Sequence, residues 1–172
     1  AQYNLGVMYE TGLGVPQDHA QAIEWYRQAA EQGDPSAQLN LGAMYDEGRG
    51  VARDDAQAVA WWRKAAAQED ARAQFNLGVM YAEGRGVARD AAEAVEWWGR
   101  AAEQGDADAQ LNLGTMFANG SGVRRDPSRA VEWWRQAAEQ GDARAQFNLG
   151  LSYRDGRGVP QPACHDLNRV RL

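Results

Sequence analysis

The chain has 172 residues, of which 44% are hydrophobic and 24% are charged, and its formal net charge is −6. The acidic balance argues against non-specific nucleic-acid binding, because such binding needs Lys and Arg to neutralise phosphates. No apolar run approaches the roughly 18 residues of a bilayer-spanning helix, so no direct membrane insertion is expected. Cys164 is the only cysteine, which excludes an intrachain disulfide.

The first residues, AQYNLG, lack an initiator Met and do not resemble a secretion signal. They stand in the middle of a pattern that recurs along the chain. We therefore expect a processed or excised piece of a longer protein, and the localisation of that protein stays unknown.

A repeat of 36 residues is the dominant feature of the sequence. Each block opens with the pattern AQ-x-N-L-G, at Ala1, Ala37, Ala73, Ala109 and Ala145. Blocks 37–72 and 73–108 are identical at 25 of 36 positions. A period of this size indicates stacked supersecondary units rather than one globular core. Such proteins usually present a surface, so binding is expected rather than catalysis.

The first predicted helix of each repeat, here named helix A, is clearest in block 37–72. Asp34 is its expected N-cap, with Pro35 at the first helical position. Gly48 is its expected stop. Apolar residues recur along one face at helical spacing, at Ala37, Leu41, Met44 and Tyr45.

A glycine loop leads from helix A to a second predicted helix, named helix B. Asp54 is its expected N-cap, and Gln57 has the spacing of a capping box. All seven tryptophans lie in B helices: Trp25, Trp61, Trp62, Trp97, Trp98, Trp133 and Trp134. The second of each pair falls at the centre of the apolar face, and the first lies on its flank. Because this is core spacing, we interpret the tryptophans as packing residues rather than a ligand-stacking platform.

Glycine recurs inside helix A, at Gly42, Gly78 and Gly114. A glycine in a helix interior costs about 1 kcal/mol relative to alanine. Because the cost is repeated in each block, we expect close helix contacts, with a Trp or Tyr of helix B over the missing side chain.

The pattern A-x-x-x-L-G-x-x-Y-x-x-G-x-G-V-x-x-D-x-x-x-A-x-x-W-x-x-x-A-A-x-x-G resembles the Sel1-like repeat (SLR) family, relatives of the tetratricopeptide repeats, over residues 1–158. The resemblance implies an all-α, right-handed α/α superhelical solenoid with four full repeats and a partial fifth. Helix A would line its concave side. It also implies a non-enzymatic adaptor of bacterial type that binds a protein or peptide. Residues 159–172 are expected to form a degenerate cap or tail.

Comparison with the tetratricopeptide pattern indicates which helix A positions face the concave groove. They are the third, seventh, tenth and eleventh of each block, together with the residue before it. The candidate binding residues are Leu39, Ala43, Asp46, Glu47, Arg72, Phe75, Val79, Glu83, Leu111, Thr115, Asn119, Arg144 and Phe147. They would form an apolar groove with a mixed-charge rim, suited to a peptide or partner helix with hydrophobic anchors. For the third and seventh positions, packing between adjacent repeats is the alternative.

Two further rows of residues each allow two interpretations. One row is an asparagine ladder, at Asn4, Asn40, Asn76, Asn112 and Asn148. Its amides could bind a peptide backbone or tie neighbouring helices together. The other is a row of loop arginines, at Arg49, Arg53, Arg85, Arg89, Arg124, Arg125 and Arg157. These could dock an acidic partner, or form a solvated edge partly neutralised by Glu47 and Glu83.

Three departures from the repeat stand out. Glu69 occupies a turn position that is glycine in the other blocks, where a left-handed backbone would store roughly 1 kcal/mol of strain. Gly99 replaces an arginine found in the other B helices and should weaken its helix. Pro162 stands where the Asp before a fifth helix B belongs, and no tryptophan follows it.

No residue set for catalysis or metal binding is found. The histidines, His19 and His165, lie at opposite ends of the chain, and adjacent residues such as Cys164 and His165 rarely act as nucleophile and base. No cofactor is expected. Besides a binding scaffold, the alternative function is a structural element whose copies associate end to end, since Ala1 opens an uncapped repeat.

Overall fold

The computed structural model describes residues 1–159, which contain nine helices and no strand. The helices are α1 (Gln2–Thr11), α2 (His19–Glu31), α3 (Pro35–Glu47), α4 (Asp55–Ala66), α5 (Ala71–Glu83), α6 (Ala91–Glu103), α7 (Ala107–Asn119), α8 (Pro127–Glu139) and α9 (Ala143–Asp155). The odd-numbered helices are the A helices and the even-numbered ones are the B helices. The expected all-α repeat solenoid is confirmed. Apart from Val159, the expected cap or tail at 159–172 lies outside the described residues.

Helix ends are set by the aspartates and glycines that the repeat places there. The Asp34 carboxylate accepts a hydrogen bond from the backbone N–H of Ala37, and that of Asp54 accepts one from Gln57. Gly48 ends α3 with a φ of 70°, in the left-handed region that glycine adopts without a steric penalty. An aspartate N-cap precedes each of α2 to α9: Asp18, Asp34, Asp54, Asp70, Asp90, Asp106, Asp126 and Asp142.

The glycines inside α3, α5 and α7 make room for the tryptophan of their own helix B, as expected. A Cβ built on Gly42 would lie 2.5 Å from Trp62 Nε1, and one built on Gly78 would lie 2.4 Å from Trp98 Cδ1. The indole N–H of Trp62 donates to the carbonyl of Leu39, at 3.1 Å. The same bond recurs from Trp98 and Trp134 to the third residue of their own blocks. The tryptophans that fill these contacts are therefore packing residues.

Consecutive repeats are joined through the loops as well as through the helices. From the second repeat on, the second glycine of each loop lies against the first residues of the preceding helix B. A Cβ built on Gly86 would lie 2.3 Å from the carbonyl oxygen of Asp55, and one on Gly122 would lie 2.1 Å from that of Ala91. Any side chain at these positions would push the loop off the preceding repeat.

The core consists of clusters that each span neighbouring repeats. Each helix packs chiefly against the helix before it and the helix after it, as in a solenoid. Trp61, the flanking tryptophan of its pair, joins a cluster that contains Ile23 and Tyr26 of the preceding repeat. Trp61 therefore packs with residues of the preceding repeat.

Glu69 adopts a left-handed backbone with a φ of 65°, the only positive φ of a non-glycine residue within the described range. Gly33, Gly105 and Gly141 hold the corresponding turns with φ of 90°, 93° and 94°. The expected strain at Glu69 is therefore present in the fold.

Candidate functional site

The third positions of the A helices are mainly buried. Leu39 and Leu111 are 5% and 7% exposed, and Phe75 is half-buried. Leu39 packs against Trp62 of its own repeat and Leu77 of the next one. This corrects the assignment of Leu39 and Leu111 to the groove surface, because helix B and the following repeat cover them. Phe147 differs, since 66% of it is exposed.

The seventh positions lie at the edge of the core. Ala43 and Val79 are half-buried and pack against the clusters of neighbouring repeats. Thr115 is half-buried too, and its hydroxyl donates to the carbonyl of Leu111 at 3.0 Å. Each of these residues keeps part of its surface open.

The acidic groove residues form ion pairs with loop arginines. Arg85 pairs with Asp46 and, at 3.1 Å, with Asp55 of the preceding repeat, and it lies 3.5 Å from Glu83. Arg49 lies 2.6 Å from Glu47 and 2.6 Å from Glu10. Of the two interpretations of the loop arginines, the partly neutralised edge therefore applies at Arg49 and Arg85. Glu47 and Glu83 supply part of the negative charge there.

These contacts shift the pKa of several groups. Hydrogen bonds from Arg53 and then Arg85 lower the pKa of the Asp55 carboxyl. Burial, followed by the neighbouring Glu10 carboxylate, raises the pKa of the Tyr26 phenol, against a lowering hydrogen bond with Asn40.

The residues before the blocks form an exposed row. Arg144 pairs with Asp108 of the preceding repeat and lies 2.6 Å from Asp142. Arg72 is exposed as well. These side chains are accessible to a partner, although the Arg144 pair neutralises part of the charge.

Candidate groove positions of two consecutive repeats line one cleft of about 230 Å³ between α7, α8 and α9. Asn119 and Leu151, from the eleventh and seventh positions, both line it. The ladder residue Asn148 and the loop residue Arg157 line it as well. Trp134 of α8 completes the apolar part of the wall.

A single sequence difference explains why the cleft is open here. Ser152 occupies the position of Met44 and Met80, which are 0% and 1% exposed and fill the equivalent space in their repeats. The Ser152 hydroxyl donates to the carbonyl of Asn148, at 3.0 Å, so the polar group is satisfied within the helix.

The charge at this cleft also differs from that of the earlier repeats. Arg49 and Arg85 each form an ion pair with an acidic residue at the tenth position of the preceding block. The block before Arg157 has Ala118 at its tenth position, so this acidic partner is missing. Arg157 lies 3.9 Å from Asp155, which Arg154 already contacts at 2.8 Å. The side chain of Arg157 is 69% exposed and lines the cleft.

Sequence reasoning missed a glutamine network that joins the repeats. The Gln38 amide donates to the carbonyl of Ala30 in the preceding helix B, at 3.0 Å. The amide of Gln68, in the turn after α4, donates to the Gln38 side-chain carbonyl oxygen at 2.9 Å. Gln104 and Gln140 repeat the second contact, toward Gln74 and Gln110. The signal was the recurrence of Gln at the second and thirty-second positions of the blocks, which is as regular as the asparagine ladder.

Within residues 1–159, no group of three or more His, Cys, Asp or Glu side chains is arranged to hold a metal ion. Cys164 and His165 lie outside that range. Among the helices of the described part, none combines the length and the apolar character that a membrane span requires.

A family model of the Sel1 repeat matches five consecutive segments, at 1–34, 35–70, 71–106, 107–142 and 143–167. The chain belongs to the Sel1 repeat family. Sel1 repeat proteins are generally protein-interaction scaffolds, and the family is a non-catalytic one. A comparison with curated proteins returns no significant match.

Solved structures of other Sel1 repeat proteins have the same architecture. The chain is similar to c5321, a protective antigen of uropathogenic Escherichia coli strains with an SLR fold, at 46% identity and a TM-score of 0.92. That match covers 94% of this chain and 34% of the antigen, so this chain spans about a third of it. A Sel1 repeat protein from Oxalobacter formigenes is 41% identical, with a TM-score of 0.89, over 97% of this chain and 69% of that one.

The cysteine rich protein B of Helicobacter pylori shares the fold at lower similarity. It is 24% identical, with a TM-score of 0.60, and the match covers 75% of this chain and 92% of that one.

Proposed function

We propose that this chain is a protein-interaction scaffold that binds a peptide or partner segment along its A helices, with the cleft between α7, α8 and α9 as the anchor site. The observation that carries the proposal is the convergence of Asn119, Asn148 and Leu151 on that cleft. Family membership supports the general role, and the cleft supports the location. Residues 1–158 act as one solenoid unit in this proposal.

The cleft favours a particular kind of ligand. The space left by Ser152 suits an unbranched apolar side chain of about the size of methionine, and Trp134 offers an apolar contact surface. The side-chain amides of Asn119 and Asn148 can each donate to and accept from a peptide backbone. The Arg157 guanidinium favours a carboxylate next to the anchor. The expected ligand is therefore an extended peptide with an apolar anchor beside an acidic residue.

Selection from a random peptide phage library against the full chain tests the proposal, followed by calorimetry on the selected peptides. Ser152→Met should weaken binding at least about tenfold, equivalent to about 1.4 kcal/mol, because the new side chain fills the cleft. Arg157→Gln should weaken only peptides that carry an acidic residue. Ala60→Met is the matched control, since it adds the same side chain to an exposed position of α4.

Selected peptides that bind Ser152→Met and Ala60→Met equally well would place the binding surface elsewhere. A library that yields no binder for the unmodified chain would count against peptide capture altogether.

End-to-end self-association is the second candidate, and one observation favours it. Leu13, in the loop after α1, is 71% exposed and offers an apolar contact in the first repeat. Sedimentation over a hundredfold concentration range should show an oligomer that Leu13→Glu dissociates. A monomer throughout that range contradicts this candidate.

A further inference from the structure

We propose that the loop between α7 and α8 is a docking surface for an acidic peptide segment of a partner protein. The surface, named here the arginine patch, consists of Arg124, Arg125 and Arg129 around Val123 and Pro127. These five residues line an open cleft of about 460 Å³. The arginine patch borders the cleft between α7, α8 and α9, but the inference does not depend on peptide binding there.

The charge of this loop is reversed relative to the two preceding loops. Segment 118–129 carries three arginines and one aspartate, which gives a net charge of +2. The equivalent segments 46–57 and 82–93 each carry two arginines, against four and three acidic residues, so their net charges are −2 and −1. The loop is therefore basic in a chain whose overall charge is −6.

Three substitutions within the repeat account for most of this reversal. Arg124 stands where the two preceding blocks have alanine, and Arg129 stands where they have Gln57 and Glu93. Asn119 replaces the glutamate that both preceding blocks hold at its position, and that glutamate lies beside the loop arginine there. This loop has thus gained two cations and lost an acid that neutralises the same edge in the earlier repeats.

Two of the guanidinium groups are oriented without the use of a carboxylate. The Arg125 Nε–H donates to the backbone carbonyl of Ala118 at 3.0 Å, a bond that uses neither of its terminal nitrogens. The guanidinium carbon of Arg129 lies 4.2 Å from the centroid of the Phe117 ring. A carboxylate ligand would therefore meet side chains that are already oriented, which lowers the entropic cost of binding.

The arginine patch has no acidic partner among residues 1–159. Its three arginines are exposed, and none of them forms an ion pair with a residue in that range. The Asp126 carboxylate instead accepts hydrogen bonds from the backbone N–H groups of Ser128 and Arg129, each at 3.1 Å, as the N-cap of α8. The patch thereby differs from Arg49 and Arg85, whose charges are used within the chain.

Neighbouring repeats are present on both sides of the arginine patch and leave it open. Gly122 of this loop lies against Ala91 of α6, and Gly158 of the next loop lies against Pro127. The patch is therefore inside the described solenoid, and its exposure is not that of a solenoid end. Residues 160–172 hold one aspartate and two arginines, so their charge is not complementary to the patch.

The charge pattern favours an acidic peptide over a nucleic acid. Guanidinium groups bind carboxylates through paired hydrogen bonds, and Val123 and Pro127 offer apolar contacts for a residue between two acids. A phosphate backbone that continued along this edge would meet the acidic segments 46–57 and 82–93. A short acidic segment interacts chiefly with the patch itself, because charges are screened over about 10 Å at 0.1 M salt.

The test measures binding of a fluorescein-labelled peptide, GSEELEESG, to the full 172-residue chain by fluorescence anisotropy in about 50 mM salt. Saturable binding with a Kd below about 500 μM is expected, a range suited to a few exposed charge contacts. The same peptide with glutamine in place of every glutamate should bind at least about tenfold more weakly. Raising the salt to about 500 mM should weaken the acidic peptide by a similar factor, because exposed charges are screened.

Two protein variants locate the contact, and each introduces the residue that the preceding repeat has at the same position. Arg124→Ala matches Ala88 and Arg129→Glu matches Glu93, so the fold should be retained. Each should weaken binding at least about threefold, and the two together at least about tenfold. Lys64→Glu is the control, because it reverses a charge at an exposed position of α4, which packs against α3 and α5. Its affinity for the peptide should match that of the parent.

Absence of saturable binding by the acidic peptide overturns the proposal, and so does binding that the double variant leaves unchanged. A labelled single-stranded DNA that binds more tightly than the peptide, and loses affinity in the double variant, would also overturn it. Ser152→Met separates the arginine patch from the cleft between α7, α8 and α9, since it should leave binding of the acidic peptide unchanged. Loss of that binding in Ser152→Met would contradict a separate docking surface.

Discussion

Arg63 of α4 donates a hydrogen bond to the hydroxyl of Tyr81 in the following A helix, at 2.7 Å. The same contact recurs from Arg27 to Tyr45 and from Arg135 to Tyr153. Between α6 and α7, the arginine is replaced by Gly99 and the tyrosine by Phe117. Donor and acceptor are thus absent together, and no hydroxyl is left there without its usual partner.

The first prediction concerns this exchanged pair. Phe117→Tyr together with Gly99→Arg should restore the contact, with a favourable interaction free energy of about 0.5 kcal/mol in a double-mutant cycle of urea unfolding. Gly99→Arg alone should add stability through helix propensity, which the cycle subtracts. Additive effects of the two substitutions would show that the pair contributes nothing to stability.

The second prediction compares two glycines that receive the same substitution. Gly78→Ala should destabilise the fold by about 2 kcal/mol, because the new Cβ would overlap the Trp98 indole. Gly99→Ala should stabilise it by about 1 kcal/mol, because the position is open and alanine favours the helix. Thermal unfolding of both variants measures the difference, and shifts of equal sign would contradict the glycine–tryptophan contact.

The third prediction concerns the strained turn. Glu69→Gly should raise the free energy of unfolding by about 1 kcal/mol, since glycine adopts a positive φ without the steric penalty. Gly105→Glu, at the equivalent turn with a φ of 93°, should lower it by a similar amount. Chemical denaturation of the two variants checks the sign, and a Glu69→Gly protein no more stable than the parent would show that the turn relaxes around glutamate.

The fourth prediction follows from the Asp55 ion pairs. Because Arg53 and Arg85 lower the pKa of Asp55 in the folded protein, the carboxylate stabilises the fold at pH values above its ordinary pKa of 3.8. This contribution is lost as the pH falls through the lowered pKa. Asp55→Asn should therefore reduce the melting temperature at pH 6 by a small amount and lose less stability than the parent on acidification to pH 3. The difference should shrink in 1 M salt, because the pair is partly exposed.

The fifth prediction links stability to binding at the cleft. Ser152→Met should stabilise the protein by about 1 kcal/mol, because it fills the space that Met44 and Met80 fill in earlier repeats. If the cleft is the anchor site, the same variant loses affinity for selected peptides. A Ser152→Met protein that is destabilised would indicate that the cleft does not have the shape of a methionine side chain.

Helix ends, repeat length and the contact between glycine and tryptophan followed from the sequence alone. Asp34 and Gly48 act on backbone groups within a few residues of them, so their effect does not depend on the rest of the fold. The internal glycines recur with a tryptophan at constant spacing. A glycine inside a helix lowers the stability of that helix, and its recurrence in successive blocks is best explained by close packing.

Only the tertiary structure shows which of the recurring residues make contacts between repeats. Glutamine and asparagine recur with equal regularity, yet Gln38, Gln74 and Gln110 form the amide network between repeats. Packing places their side chains within hydrogen-bond distance of the last residues of the preceding helix B. Leu111 and Phe147 occupy the same position of the repeat, but only Leu111 is covered by a described helix B. Periodicity determines the kind of contact that each position can make, and the neighbours in space determine whether that contact is made within the chain.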